Sequence, residues 1–438
     1  MTTHLLYKIR LITNKLALDN KLVAVIKNSG WLLFDKLTRL FLGLLVGAWV
    51  ARYLGPEQYG QLAYVLAYLA FFQAVVLLGM DGIIVRELAK DKEKASEILG
   101  TAFTLRLIVG IVCWILAVGI IVGTYGWQDD SVYITLLAGS ALVFQAADTI
   151  DLWFQSQSQS KRTVISKLIA YAISNGLKVV LILNKAPLLA FAAVMAVETL
   201  IAAISLIYAY RKYPCKGIWF PKKNRALLLL QESWPFIISG LSIIIYMRID
   251  QIFIKEFLGE KDLGIYAAVL PLAMVWTFIP TTLSTSLAPY IARKKTESES
   301  GYWLTLSKLF RLYAFIGWLI FIPVFIFSDF IVSSLYGVDY LAGSNVLKIV
   351  VFSNIFINMG LAQSLWILNE GLSKISLYKT LIGACVCLVS NIILIPIYGI
   401  YGAAFSAVLA QFFSAVFSNL FFSRELLVMQ LKSLLLIR

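Results

Sequence analysis

The sequence predicts an all-α polytopic membrane protein, with about twelve transmembrane helices in two parallel six-helix lobes around a central cleft. The first observation behind this prediction is composition: 60% of the 438 residues are aliphatic, aromatic or cysteine, and only 14% are charged. Soluble domains are about 45–50% apolar and about 25% charged, and so few charges could not cover the surface of a soluble enzyme. The distribution of positive charge and an internal repeat are the other two observations.

Twelve apolar segments are long enough to cross a membrane, because a helix needs about 20 apolar residues, rising about 1.5 Å each, to span the hydrocarbon core. In chain order these segments cover residues 29–53, 60–82, 101–124, 132–154, 163–184, 187–209, 233–257, 263–292, 307–328, 344–369, 374–397 and 400–422. Each segment therefore predicts one transmembrane helix.

Lysine and arginine are unequally shared between the two sides of the membrane. If the N-terminus is cytoplasmic, 27 of the 38 fall in cytoplasmic segments. Four fall in the outside loops, namely Arg52, Lys185, Lys255 and Lys261. Cytoplasmic loops are enriched in these residues, so the count predicts a multi-pass protein with both termini in the cytoplasm. It also accounts for the net charge of +14 without nucleic acid as a partner.

The two halves of the chain resemble each other. Residues 54–66 match residues 258–270 at an offset of 204, with two Leu, two Gly, one Ala and one Val in common. Two further pairs follow in the same order: Arg106 with Arg311, and Leu152-Trp153 with Leu365-Trp366. These matches indicate duplication of a six-helix unit. Because six is even, both units enter the membrane in the same direction and form parallel lobes, as in many transporters.

The repeat and the charge pattern together predict five regions. They are a basic cytoplasmic leader (1–28), an N-terminal six-helix lobe (29–209), a cytoplasmic inter-lobe linker (210–226), a C-terminal six-helix lobe (227–422) and a cytoplasmic tail (423–438). The leader is either an interfacial amphipathic helix or a flexible tail.

Charged side chains inside a bilayer usually face a cavity or an opposite charge. Arg39 lies near the midplane, about 15 Å from the inner edge of the first helix. Asp35 lies one turn earlier on the same face, so Arg39 is either a cavity cation or half of a neutral ion pair. Glu198 is also near the midplane of its helix, where it could carry a proton, bind a cation or pair with Arg39.

A basic patch is predicted in the outer half of the cleft. Arg248, Gln251 and Lys255 share one helix face by their spacing, and Lys178 lies at a similar depth in the fifth helix. Asp250 points in another direction. The alternative for Lys178 and Lys255 is that their long side chains extend to the membrane surface.

The remaining candidates lie near the cytoplasmic ends and in the eighth helix. Arg106 and Arg311 either anchor their helices at the interface or flank the inner mouth of the cleft. Pro271 and Pro280 each remove a helix hydrogen bond, so the eighth helix is predicted to bend, as a gate or as a static kink.

No motif for enzyme chemistry is present. The sequence contains no GxxxxGK[ST] nucleotide-binding run, only one histidine (His4) and four cysteines without metal-ligand spacing. The protein is therefore predicted not to be an enzyme and to use neither a metal nor a cofactor.

Several short blocks carry a family resemblance. They are residues 51–60 (ARYLGPEQYG), Leu78-Gly79-Met80-Asp81-Gly82, Val85-Arg86-Glu87-Leu88, Arg248-Ile249-Asp250-Gln251 and Gly264-Ile265-Tyr266-Ala267-Ala268. With these blocks the chain resembles, over nearly its whole length, the Wzx-type polysaccharide and O-antigen repeat-unit flippases. These form the polysaccharide transporter branch of the multidrug/oligosaccharidyl-lipid/polysaccharide exporter superfamily. The related peptidoglycan lipid flippase has two additional helices, so twelve helices suit the polysaccharide branch better.

The resemblance implies a function that periodicity cannot show. Such a protein moves undecaprenyl-pyrophosphate-linked oligosaccharide repeat units across the bacterial cytoplasmic (inner) membrane by alternating access, in O-antigen or capsule biosynthesis. Polysaccharide polymerase and chain-length machinery would be partners besides the lipid bilayer. The implied head-group contacts are Arg39, then Arg248, Lys178 and Lys255, and the implied ion-coupling residues are Asp35, Glu198 and Asp250.

Two other functions stay open at this point. A cation-coupled multidrug exporter of the same superfamily would need unpaired carboxylates in the cleft, whereas the deep charges here are mainly basic. A membrane-embedded glycan polymerase or ligase would need a large external catalytic loop. The largest outside loops here are only residues 124–132 and 329–343.

Overall fold

The computed structural model describes residues 20–215 and 217–435, and the part of the chain that it describes is almost entirely helical, with no β-strand. The predicted all-α class is therefore confirmed. Most of the predicted basic leader, residues 1–19, lies outside the described residues. From Asn20 onward the backbone is helical and continues into the first membrane helix.

Within residues 20–215, the first half of the chain contains eight α-helices. They are α1 (Asn20–Val76), α2 (Asp81–Lys90), α3 (Ala95–Tyr125), α4 (Asp130–Gly139), α5 (Ala141–Phe144), α6 (Thr149–Ser156), α7 (Ser160–Leu183) and α8 (Leu188–Lys212), with a 3₁₀ turn at Gln145–Asp148.

The described part of the second half, up to residue 435, contains nine α-helices. They are α9 (Lys223–Leu258), α10 (Glu260–Met274), α11 (Phe278–Glu297), α12 (Glu299–Tyr336), α13 (Gly343–Glu370), α14 (Ser373–Tyr398), α15 (Ile400–Phe412), α16 (Asn419–Phe422) and α17 (Arg424–Leu434). Two 3₁₀ turns, Val275–Thr277 and Val338–Tyr340, and a π-helical turn, Phe413–Phe417, join some of them.

Eleven segments of the described chain are long and apolar enough to cross a membrane. The first, Leu33–Lys90, has 58 residues, about 85 Å of helix, which exceeds two hydrocarbon cores of about 30 Å. It bends at Gly55, whose φ of 75° glycine adopts without strain, and Pro56 follows. It therefore provides two crossings, which agrees with the prediction of about twelve.

The second crossing ends earlier than the sequence pattern predicts. The apolar run extends to residue 82, but α1 stops at Val76 because Leu78 and Gly79 both have positive φ, 55° and 58°. Arg106 stabilises this turn: its guanidinium donates to the Leu77 carbonyl at 3.3 Å and to the Asp81 carboxylate. Two polar residues thus fix a turn that hydropathy alone does not locate.

The two halves contact each other directly through backbone. A Cβ placed on Gly60 would overlap the carbonyl oxygen of Glu260, and a Cβ on Gly264 would overlap the carbonyl oxygen of Pro56. The contact is reciprocal, because position 60 corresponds to 264 and position 56 to 260 in the internal repeat. Such an isologous contact is what a pseudo-twofold axis between repeated halves produces. The exact domain boundaries stay a prediction.

The segment between the halves is bound to α3. Lys222 Nζ and Arg225 Nε lie 3.2 and 3.1 Å from the carboxylate of Glu97. A Cβ on Gly100 would meet the backbone of Phe220 at 2.5 Å. The predicted inter-lobe linker therefore packs against the start of a membrane helix and is held there by ion pairs.

Gly264→Ala is expected to destabilise the folded protein, because its Cβ has no space beside Pro56. Overpacking against rigid backbone costs about 1–3 kcal/mol or more, so we expect a lower midpoint in thermal unfolding of the detergent-solubilised protein. Gly240→Ala is the matched control, since a Cβ there meets nothing within 4 Å. Equal midpoints for the two variants would contradict the close contact.

Candidate functional site

A large cavity, about 710 Å³ in volume, lies where α1 of the first half faces α9, α10, α13 and α15 of the second half. Most of its lining is apolar. The polar and aromatic side chains that reach it include Tyr59, Tyr246, Arg248, Asp250, Gln251 and Tyr266. A mainly apolar cavity with a few placed polar groups is typical of a ligand-binding site.

Arg248 is the one cation among the side chains lining this cavity, and it has no ion-pair partner among the described residues. Asp250 is nearby but occupied, because its carboxylate accepts a hydrogen bond from the Tyr266 hydroxyl at 2.5 Å and one from the Gln251 backbone at 2.8 Å. The cavity therefore presents a free positive charge and a carboxylate that already has partners.

Two further polar atoms in the cavity wall have no hydrogen-bond partner. They are the Tyr246 hydroxyl and the Gln251 Nε2, both buried. Leaving a buried polar atom unpaired costs about 1–3 kcal/mol, so a ligand with hydroxyl or carbonyl oxygens would satisfy both. The sequence analysis missed Tyr246, although it lies one turn before Asp250 and its i, i+4 spacing could have indicated this face.

The eighth membrane segment is interrupted by a 3₁₀ turn, whereas the bend predicted from its prolines stays a prediction. The segment is α-helical to Met274, passes through a 3₁₀ turn and becomes α-helical again from Phe278. Pro271 lies four residues before the turn and lines the cavity. The carbonyl of Pro280 accepts a hydrogen bond from the Tyr313 hydroxyl at 3.0 Å. A gating role for these prolines stays a prediction.

Lys255 does not line the cavity and instead lies where the C-terminal ends of α3 and α9 meet. Its Nζ lies 3.7 Å from the ring centre of Tyr125 and 4.8 Å from that of Tyr64. The Tyr125 hydroxyl donates to Glu256 at 2.5 Å, and the Tyr340 hydroxyl donates to the Ala51 carbonyl at 2.6 Å. With the glycine contact, these bonds join the two halves on the side that the charge pattern predicts to face outward.

Arg39 borders a second, smaller cavity of about 160 Å³ within the first half. Its Nε lies 2.8 Å from the Asp35 carboxylate, and its guanidinium lies 4.8 Å from the Tyr171 ring centre. One guanidinium nitrogen, Nη2, is buried without a partner. Arg39 therefore pairs with Asp35 and also lines a cavity. The sequence analysis treated these two roles as alternatives, and Arg39 has both.

Glu198 borders the same small cavity and is paired with Lys178 rather than with Arg39. The Glu198 carboxylate accepts from the Ser174 hydroxyl at 2.7 Å and lies 3.9 Å from Lys178 Nζ. The basic patch expected from Arg248, Lys255 and Lys178 is therefore not assembled, because each of the three has different neighbours.

Arg106 and Arg311 have different surroundings despite their equivalent repeat positions. Arg106 is 1% exposed and forms an ion pair with Asp81, so its side chain does not flank the inner mouth of the cleft. Arg311 is exposed and borders a groove beside α17. Among the residues that the structure describes, no group of three or more His, Cys, Asp or Glu side chains is placed to hold a metal.

Comparison with known protein families gives a match over residues 25–295, more than half of the chain, to the family described as "Polysaccharide biosynthesis protein". The chain belongs to this family. The resemblance found in the sequence blocks is thereby confirmed.

Three curated proteins are similar to this chain at low sequence identity. "Lsg locus putative protein 1" of Haemophilus influenzae is 27% identical over 61% of this chain, and the alignment covers 65% of that relative, just under two thirds of its length. "Capsular polysaccharide biosynthesis protein CapF" of Staphylococcus aureus is 22% identical over 91% of this chain and 100% of its own. A "Putative O-antigen transporter" of Shigella dysenteriae is 20% identical over 84% of this chain and 92% of its own.

Two solved structures share this fold. The lipid II flippase MurJ in an inward closed conformation superposes with a TM-score of 0.74 at 14% identity, covering 94% of this chain and 91% of that one. An inward-facing multidrug resistance MATE family transporter of the MOP superfamily gives a TM-score of 0.70 at 15% identity, covering 90% of this chain and 96% of that one. These similarities confirm the predicted all-α membrane fold.

Glu256→Gln is expected to shift the protein toward an outward-open arrangement, because it removes the charge from the bond with Tyr125. Loss of one charge-assisted bond between partly exposed groups costs about 1 kcal/mol, roughly a fivefold change in population. Spin labels at Trp127→Cys and Val338→Cys, in a Cys385→Ser background, would report a longer distance. Glu299→Gln is the control and should give the wild-type distribution, because Glu299 is exposed, lies away from this contact and has no ion pair among the described residues.

Proposed function

We propose that this protein is a lipid-linked oligosaccharide flippase that moves undecaprenyl-pyrophosphate-linked repeat units from the inner to the outer leaflet of the bacterial cytoplasmic membrane. The observation that carries the proposal is the large cavity, with its unpaired Arg248 and two unpartnered polar atoms among apolar walls. Family membership and the names of the relatives, which include a capsular polysaccharide protein and an O-antigen transporter, support it.

The cavity suits the head group of such a substrate. A pyrophosphate is anionic, and arginine binds phosphate oxygens with short, charge-assisted hydrogen bonds. Sugar hydroxyls both donate and accept, so they can satisfy the Tyr246 hydroxyl and the Gln251 amide. The isoprenoid tail would remain in the bilayer while the head group crosses. We therefore place Arg248, Gln251 and Tyr246 in contact with the head group.

Alternating access would follow from the contacts that close the outer side. The head group would enter from the cytoplasmic side, and its release would require the bonds Tyr125–Glu256 and Tyr340–Ala51 to break.

Arg39 would contact the substrate from the smaller cavity of the first half. The ion pairs Arg39–Asp35 and Lys178–Glu198, together with Asp250, are the candidates for ion coupling. Polysaccharide polymerase and chain-length machinery would act on the product.

A multidrug exporter is the second candidate because of the MATE-like fold. Cationic drugs need an available carboxylate, whereas Asp250 is engaged by Tyr266 and the free charge in the cavity is positive. The observed electrostatics thus favour an anionic head group over a cationic drug. A glycan polymerase or ligase has no supporting observation in the described residues.

Arg248→Ala is expected to reduce glycolipid transfer about 10- to 100-fold, because a hydrogen bond to a charged group contributes about 1.5–3 kcal/mol. The assay is leaflet transfer of a labelled polyprenyl-pyrophosphate oligosaccharide in proteoliposomes, with a cationic dye in parallel. Lys261→Ala is the control. Lys261 is an exposed cation of the same half and is in no ion pair among the described residues. Undiminished transfer by Arg248→Ala removes Arg248 from the site, and dye efflux without glycolipid transfer favours the exporter.

Arg39→Ala is expected to abolish transfer in the same assay, and the double variant Arg39→Ala/Asp35→Ala should be equally inactive. The single change leaves the Asp35 carboxylate without its partner, and the double change removes that defect. Recovery of transfer in the double variant would show that Arg39 only neutralises Asp35. Thermal unfolding of both variants separates loss of binding from loss of folding.

A further inference from the structure

A groove of about 520 Å³ lies between α12 and α17, away from the large cavity and on the side that the charge pattern predicts to be cytoplasmic. Three cations line it: Arg311 from α12, and Arg424 and Lys432 from α17. One carboxylate, Glu425, also borders it, so the net charge of the lining is positive. All of the lining residues belong to the second half of the chain, so the groove is not between the lobes.

These three cations differ from many others on the cytoplasmic side. Arg86, Lys94 and Arg225, for example, are each in an ion pair with a carboxylate. Arg311, Arg424 and Lys432 are all exposed, and none is in an ion pair among the described residues. Like charges that share a groove repel one another, so an anion bound between them would lower their energy.

The surface continuing from the groove is apolar. Ser307, Arg311, Phe315 and Leu319 follow one another at four-residue spacing and therefore share one face of α12. Phe315 and Leu319 are 53% and 59% exposed on this face, farther from the cytoplasmic end than Arg311. On α17, Leu431 and Leu435 are 43% and 70% exposed. A charged groove thus adjoins a strip of exposed hydrocarbon.

We propose that this groove binds the phosphate head group of an anionic phospholipid of the inner leaflet, with its acyl chains along Phe315 and Leu319. The unpaired cations supply the charge that phosphate requires, and membrane proteins bind lipid head groups in basic pockets of this kind. The same lipid would hold the C-terminal helix α17 against α12. The site is separate from the cavity proposed for the transported head group.

The test is lipid titration of the full-length, delipidated protein by native mass spectrometry. The probes are phosphatidylglycerol, phosphatidylcholine with the same chains, and inorganic phosphate. We expect a preference for phosphatidylglycerol that falls roughly 10- to 100-fold in Arg311→Gln/Arg424→Gln/Lys432→Gln, since each cation near an anionic lipid contributes about one kilocalorie per mole.

The control is Lys223→Gln/Lys308→Gln/Lys374→Gln, which removes the same charge from exposed positions outside the groove. Equal losses in both triple variants would overturn the site in favour of general surface charge. If millimolar phosphate displaces phosphatidylglycerol, the groove binds free phosphate, and the proposal that it binds a phospholipid head group is overturned. If the groove variant does not fold, Arg311→Lys/Arg424→Lys/Lys432→Arg should keep the preference and Arg424→Gln alone should weaken it.

Discussion

The direct contact between Gly60 and Gly264 is the constraint on which the rest of the structure depends. Neither position has room for a Cβ, so the backbones of α1 and α10 can touch there. This contact brings Tyr59 of α1 to the same cavity as Arg248 and Tyr266 and so forms one wall of that cavity. It also places Tyr125 within hydrogen-bond distance of Glu256. The junction of the two halves and the formation of the cavity are therefore two results of one packing contact.

The bilayer explains why the unpaired cation of the large cavity is informative. An unpaired charge in a hydrocarbon environment costs several kilocalories per mole, so membrane proteins pair such groups or place them in cavities. Here Arg39, Arg106 and Lys178 each lie beside a carboxylate. Arg248 lines the cavity and has no carboxylate partner in the described part of the chain. Its position is explained if the missing negative charge comes from a ligand.

The sequence predicts those features that depend on spacing along one helix. The apolar segments and the Asp35–Arg39 pair both follow from local periodicity or local chemistry, and both are present. Features between helices were not predictable in this way. Lys178 meets Glu198 because α7 packs on α8, and Lys255 meets Tyr125 because the halves close. Periodicity defines the faces of a helix but not the neighbour of each face.

The contact between the two halves combines apolar packing with polar bonds. Around the glycine contact, buried side chains of both halves, among them Ala51, Leu263 and Ile265, belong to one apolar cluster. The bonds Tyr125–Glu256 and Tyr340–Ala51 contribute about 1 kcal/mol net each. Water can replace the partners of Glu256, because its side chain is 46% exposed. Opening must therefore separate apolar surfaces as well as polar bonds, and a ligand shifts this equilibrium only by its differential affinity for the open state.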